Sequence, residues 1–321
     1  MPAVYSKPHL PVGDQVALLG ARGLEITDVA RAEAALTRIG YYRLSEYWHP
    51  MREAVTVRNA HGADITVVQD NFRPGARFSD ALDLYVFDKR LRLLILDAIE
   101  RVEVGLRVHC AHTLGARDPH LHRDWRALDP SFIAKDHARW LSRIDDAAAR
   151  SREDFISRFL KDYDPPLPLW VSIECWDFGM LSYFISGLRT PDKTAMATHY
   201  GLPRRDLLTS WVRSINNVRN ICAHHGRLWN AVLVDRTAPP KVGVITDLDH
   251  LARHQKAHNR IYAAAVALAW FMRTLNPDSR WAGRLASHLG TFPVSPLLSL
   301  QSSGFPEGWE TLDFWRAAIE R

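Results

Sequence analysis

Apolar residues recur at three- and four-residue steps through most of this chain. Over residues 204–225 they are Leu207, Leu208, Trp211, Val212, Ile215 and Val218, one stripe of an amphipathic helix. The same periodicity predicts helices over residues 14–22, 28–39, 80–114, 136–163, 170–188 and 247–273. Their ends carry stop and start signals. Asp28 and Ser79 stand at starts, while Gly23, Gly40 and Gly115 stand at stops, and Pro165-Pro166-Leu167-Pro168 is a breaker. Residues 41–48 are aromatic-rich, with Arg43 among Tyr41, Tyr42, Tyr47 and Trp48. Between residues 49 and 77 the pattern loosens, and Asp64 to Asp70, with its Val67-Val68 pair, predicts one short strand. From Trp281 onward the pieces are shorter and interrupted by Gly and Pro. The expected fold is all-α: an up-and-down helical bundle with a small N-terminal helical extension. Its regions are residues 1–79, 80–275 and a C-terminal helical tail at 276–321.

Composition narrows the class only slightly. A hydrophobic share of 47% and a charged share of 24% describe an ordinary globular protein. The net charge of +5 suits a polyanionic partner, although in an Arg-rich chain it equally reflects base composition. Three cysteines form no framework, which fits a reducing cytoplasm. No signal-like segment opens the chain, and the apolar run 261–272 is too short to span a bilayer. A cytoplasmic protein without membrane contact is the expectation.

The chemistry concentrates at Arg219-Asn220-Ile221-Cys222-Ala223-His224-His225. Four residues separate Asn220 from His224, which puts both on one helix face, and the long Arg219 side chain can swing to it. Gly226, just beyond, is the expected left-handed C-cap. Arginine offers a planar, permanently charged fork that matches phosphate oxygens, and histidine exchanges protons near neutrality. Together these groups suit cleavage of a ribose phosphodiester, with the 2′-hydroxyl as nucleophile and no metal required. Products would carry 2′,3′-cyclic phosphate and 5′-hydroxyl ends. His224 is favoured as the proton-transfer group, with exchange of roles with His225 left open; Asn220 would orient rather than transfer.

This RNxxxH block resembles the signature of the HEPN superfamily of small helical domains, many of them metal-independent RNases. The longer pattern is similar to the abortive-infection (Abi) branch. It comprises Lys7-Pro8, Asp14-Gln15, Arg22-Gly23-Leu24, Ile39 to Leu44, Asp97 to Glu103, Pro168-Leu169-Trp170, Phe178-Gly179 and Cys222 to Asn230. The resemblance implies a HEPN-like helical domain over 80–275, RNA as substrate, and a role in phage defence or as the toxin of a toxin–antitoxin pair. It also implies a small-RNA or protein antitoxin, and it places a Glu at Glu103 in a recurring Arg-x-Glu. No cofactor is expected. Since one motif copy supplies few proton carriers, a homodimer with a composite cleft is expected, an isologous interface doubling every group.

Further RNA contacts are expected from Arg43, Arg227, Trp229 and Glu103, with Trp229 otherwise locking the loop behind the helix. His120, His122, Arg123, Trp125 and Arg126 read as a basic surface loop, and Trp170, Trp176 and Phe178 as core. A second Arg-x4-His match, Arg107 to His112, reads as core-lining helix. Zinc held by Cys222, His224 and His225 with His109, Cys110 and His112 lacks the usual ligand spacing, so no metal is expected. The competing class is a non-catalytic RNA-binding or scaffold protein using the same basic cleft.

Overall fold

The computed structural model describes residues 8–59 and 62–320; Lys7 lies outside them. The fold is predominantly helical with one small sheet. In chain order α1 is Val12–Ala21, α2 Val29–Ile39, α3 Tyr41–Trp48, β1 Arg52–Arg58, β2 Asp64–Phe72 and α4 Phe78–Thr113. Then come the single turn α5 (Pro130–Phe132), α6 (Ala138–Arg150), α7 (Asp154–Asp162), the turn α8 (Leu169–Ser172), α9 (Phe178–Gly187), α10 (Thr190–His199) and α11 (Arg205–Ala223). The short α12 (Asp249–Arg253), α13 (Ile261–Leu275), α14 (Trp281–Leu289) and α15 (Asp313–Ile319) complete the order. Among the described residues no helix is long and apolar enough to cross a membrane.

Two compact units divide the chain, residues 1–91 with 287–302 and residues 92–286 with 303–321. The division falls inside α4, between Leu91 and Arg92.

In the first unit, Asp28 accepts from the Arg31 N–H and caps α2, and Gly40, at φ 93°, closes it. Leu44, Tyr47 and Trp48 on α3 are buried, whereas Tyr42 is 79% exposed. The Tyr47 hydroxyl donates to the fully buried Asp88 at 2.8 Å, so this carboxylate is not left without a partner. In place of one strand there is an antiparallel hairpin, with Val55 opposite Val67 and Val57 opposite Ile65. Both strands are largely solvent-exposed, which erased the in–out alternation by which β1 would have been recognised.

In the second unit, the alanine-rich α13 is buried on nearly every side, from Ile261 to Met272. Trp140, Trp176 and Phe184 pack at centroid distances of 4.9–5.4 Å and fill one part of the core. Trp211 meets Trp270 and Phe271 in another.

Three expected helices are interrupted. Residues 136–163 break after Arg150, where the Ser151 hydroxyl accepts from the Glu153 N–H. Residues 170–188 break at Trp176, and Asp177 caps a new helix by accepting from the Met180 N–H at 2.7 Å. Residues 247–273 yield only α12 and then α13, since His254 and Arg260 leave helical geometry. Helix α10 was not expected; Thr190-Pro191, with Pro at the first turn, was its start signal.

Candidate functional site

Helix α11 buries Leu207, Leu208, Trp211, Val212, Ile215, Val218 and Cys222, the stripe expected from the periodicity. Its polar side carries Arg213, Asn216, Asn217, Arg219 and Asn220. The helix ends at Ala223. His224 is the C-cap, its N–H bonded to the Asn220 carbonyl at 3.0 Å. The His225 N–H bonds the Cys222 carbonyl at 3.1 Å and the Gly226 N–H bonds the Ile221 carbonyl at 2.8 Å. That pair of bonds is a Schellman motif.

The left-handed residue of the motif is His225, at φ 57°, not Gly226. An L-residue pays a steric cost in that conformation, although histidine is among those found there more often than most. At Gly226 a Cβ would stand 3.3 Å from both the Ile221 carbonyl oxygen and its Cγ2, a tight contact that Ile221 would have to yield slightly to accept. Both imidazoles, His224 and His225, are exposed.

The turn is fastened from below. Arg92, 5% exposed on α4, donates to the Gly226 carbonyl at 3.1 Å. Leu228 and Trp229 then plunge into the core at 0% and 1% exposure. Trp229 therefore offers no stacking face to a base, a correction to its expected RNA contact. It anchors the loop that follows the histidines. Arg227 is half-buried and acts on Arg260, whose guanidinium is pulled below its ordinary range by burial and then by that like charge. Arg260 in turn donates to the Asn230 carbonyl.

Arg219 Nη1 lies 3.5 Å from the Asn220 Oδ1, so cation and amide meet at the helix end. Glu103 on α4 is close enough to feel the Arg219 charge. Burial pushes the Glu103 carboxyl above its ordinary range, and Arg107 and then Arg219 pull against that rise. Arg107 Nη2 donates to Glu103 Oε1 at 2.5 Å and to the Trp176 carbonyl at 2.6 Å. Arg107 thus tethers Glu103 and does not simply line the core. His112, five residues on and exposed, points elsewhere on the helix. Arg43 is exposed on α3 in the first unit and is not among the residues gathered in the second.

Sequence reasoning passed over Asn216, which sits on the Arg219 side three residues earlier. Its Oδ1 and that of Asn217 are buried without a hydrogen-bond partner. The Cβ position of Gly179, near the start of α9, is 3.9 Å from the Asn216 amide. The signal was available: steps of three and four residues from Asn216 lead to Arg219 and Asn220.

Other expectations change. His122 is fully buried, its ring against Trp176 at 5.9 Å, and burial followed by Arg123 pushes its pKa down to about 3. Arg123 is committed to Asp145 through two hydrogen bonds of 2.7 and 2.9 Å. The loop is therefore not a free basic surface. Trp170 is 46% exposed, whereas Trp176 and Phe178 are core. Cys110 and Cys222 are buried thiols, and burial raises Cys110 to about 12. Among the described residues no group of three or more His, Cys, Asp or Glu side chains is arranged to hold a metal ion.

A cavity of about 390 Å³ is lined by Leu160, Pro165, Pro166, Leu167 and Ser172 beside the Arg123–Asp145 pair, and no motif residue takes part in it. The motif instead lies open on a helix face. An open face of this kind admits a long polymer where a closed pocket would not.

A mostly helical protein whose amphipathic α11 ends in an Arg-Asn-His-His corner, with Asn220 and both histidines exposed, is the class that fold and site define. Residues 34–230 match the family described as Abi-like protein, and the chain belongs to that family. Membership associates it with abortive infection, a form of phage defence. The matched span includes the Gly40 to Leu44 block and the motif through Asn230, while the segments before residue 34 and the helix beyond residue 230 fall outside it. No curated protein and no solved structure matches the chain.

Proposed function

We propose that this chain is an endoribonuclease of HEPN type that cleaves RNA without a metal during phage defence or toxin-mediated growth arrest. One observation carries the proposal: Arg219 reaches the Asn220 amide at the very end of α11, where His224 and His225 stand exposed on a pinned turn. The Arg219 fork suits the non-bridging phosphoryl oxygens, where negative charge grows as the reaction proceeds. An imidazole takes the proton of the ribose 2′-hydroxyl as the 2′-oxygen bonds to phosphorus. The bond from phosphorus to the 5′-oxygen breaks, and a second imidazole returns a proton to that leaving oxygen. The products balance as a 2′,3′-cyclic phosphate and a 5′-hydroxyl end.

His224 and His225 from one chain, or one histidine from each of two copies, satisfy the two proton transfers. A homodimer across a two-fold axis is the arrangement proposed, since it doubles each group at no further cost in sequence. Asn220 holds the phosphate or the ring in place. Left-handed backbone at His225, where glycine is the usual occupant, fits a position kept for its side chain.

Purified protein incubated with total RNA in EDTA tests the proposal. Fragments ending in cyclic phosphate, absent with His224→Ala and with Arg219→Ala, support it. RNA that is bound tightly yet stays intact at every protein concentration favours a non-catalytic binding module instead.

A further inference from the structure

We infer that the outward stripe of α11, from Arg213 through Asn217 and Asn220 to His224, is a track for the backbone of single-stranded RNA, with Arg213 holding a phosphate away from the cut bond. The inference rests on the ribonuclease reading and extends it to how substrate is held.

Charge pairing gives the first reason. Arg22, Arg107, Arg117, Arg123, Arg204 and Arg284, among others, are in ion pairs with nearby carboxylates. Arg213 is exposed and makes no ion pair or hydrogen bond among the described residues. Arg219 hydrogen-bonds the neutral Asn220 amide and is the second of two arginine charges acting on Glu103 of α4. No Asp or Glu occurs between Asp206 and Asp235, so the motif helix beyond its first turn lacks acids of its own. A surface that leaves the Arg213 guanidinium unpaired is suited to an anion supplied from outside.

Helix geometry gives the second. Steps of four, three and four residues link Arg213, Asn217, Asn220 and His224, so all lie within a narrow angular band on one face. At 1.5 Å per residue the stripe runs about 16 Å along the axis, room for a short run of nucleotides beyond the cleaved one. Asn217 stands midway. The side chain is half-buried, and its Oδ1 has no hydrogen-bond partner among the described residues. Buried polar atoms left this way call for a partner the protein does not provide.

The test uses His224→Ala, which cannot cut, and a labelled single-stranded RNA oligonucleotide of mixed sequence, followed by fluorescence anisotropy across a potassium chloride series. Adding Arg213→Ala is expected to weaken binding roughly tenfold at low salt. The log–log salt slope should fall by about 0.7, as for one lost phosphate contact on a single strand. Arg213→Glu should weaken binding further, with thermal melting unchanged because the side chain is exposed. Equal affinity and equal slope with and without Arg213 overturn the track while leaving the nuclease reading intact. Tighter binding of duplex than of single-stranded RNA also overturns it. Absence of all RNA binding by His224→Ala, together with no cleavage by the native chain, places the failure in the ribonuclease reading itself.

Discussion

Removing Arg107 should destabilise the second unit in a pH-dependent way that removing Glu103 does not reproduce. The pair is largely enclosed, with side chains 16% and 15% exposed, and Arg107 also supplies the donor for the Trp176 carbonyl. Arg107→Ala deletes one charge-assisted hydrogen bond, worth about 1.5–3 kcal/mol, and leaves the carbonyl without its donor at about 1 kcal/mol. Partial exposure screens the charge and brings the expected total to about 3 kcal/mol. Glu103→Gln keeps an oxygen for Arg107 and removes a carboxylate whose ionisation burial already opposes, so it should cost about 1 kcal/mol or less.

The pH dependence has a definite sign. The folded-state pKa of Glu103 is raised, so its ionisation works against folding as pH climbs through that value. Arg107 is the main influence pulling it back down, and without it the pKa rises further. The Arg107→Ala penalty should therefore be larger near neutral pH than near pH 5, where a greater share of the isolated carboxyl carries its proton. Urea denaturation of both single variants and the double variant at the two pH values measures this. Glu103→Gln in the Arg107→Ala background should recover stability at neutral pH. A penalty for Arg107→Ala that is equal at both pH values, or greater at the acidic one, refutes the reasoning.

Other outcomes follow from the same geometry. His122 is buried with neither ring nitrogen bonded, and its pKa is pushed down to about 3, so folding holds it neutral. The stability this represents is complete above the unfolded value near 6.5 and is lost as pH falls toward the folded one. His122→Phe, similar in shape and without the nitrogens, should flatten the decline of melting temperature between pH 6.5 and 4; an unchanged decline counts against this assignment. His224→Ala should lower the cleavage rate by roughly 10²–10⁴-fold with an unchanged melting temperature, because the ring is exposed. Arg219→Lys should restore little of the activity lost in Arg219→Ala, since an ammonium cannot present a planar fork. Full activity in the lysine variant would show that charge alone suffices there.

Much of this architecture was legible where one element decides its own structure. Helix α4 was placed to within two residues at each end, because a long amphipathic run needs no distant partner to be recognised. The buried stripe of α11 and the polar kit at its end were equally plain. What escaped detection depends on partners far along the chain. Arg107 reads from the sequence as part of a core-lining helix with an intrahelical acid partner, and its bond to the Trp176 carbonyl, sixty-nine residues away, is visible only in the fold. His122 looked like surface because the residues beside it are charged, yet its ring is packed on Trp176. The left-handed position at the motif was assigned to glycine on propensity, whereas the hydrogen bonds from His225 and Gly226 set the turn one residue earlier.

The central claim is that Arg219 and the adjoining histidines turn the substrate's own 2′-hydroxyl into a nucleophile. Once a preferred cleavage site has been mapped, the decisive measurement compares two oligonucleotides cut by the wild-type chain in EDTA. They are identical apart from one 2′-deoxy sugar on the 5′ side of the scissile phosphate. The all-ribose strand should yield cyclic phosphate and 5′-hydroxyl ends, and the substituted strand should remain whole at that bond. Cutting of the deoxy-substituted bond at a comparable rate would contradict the account.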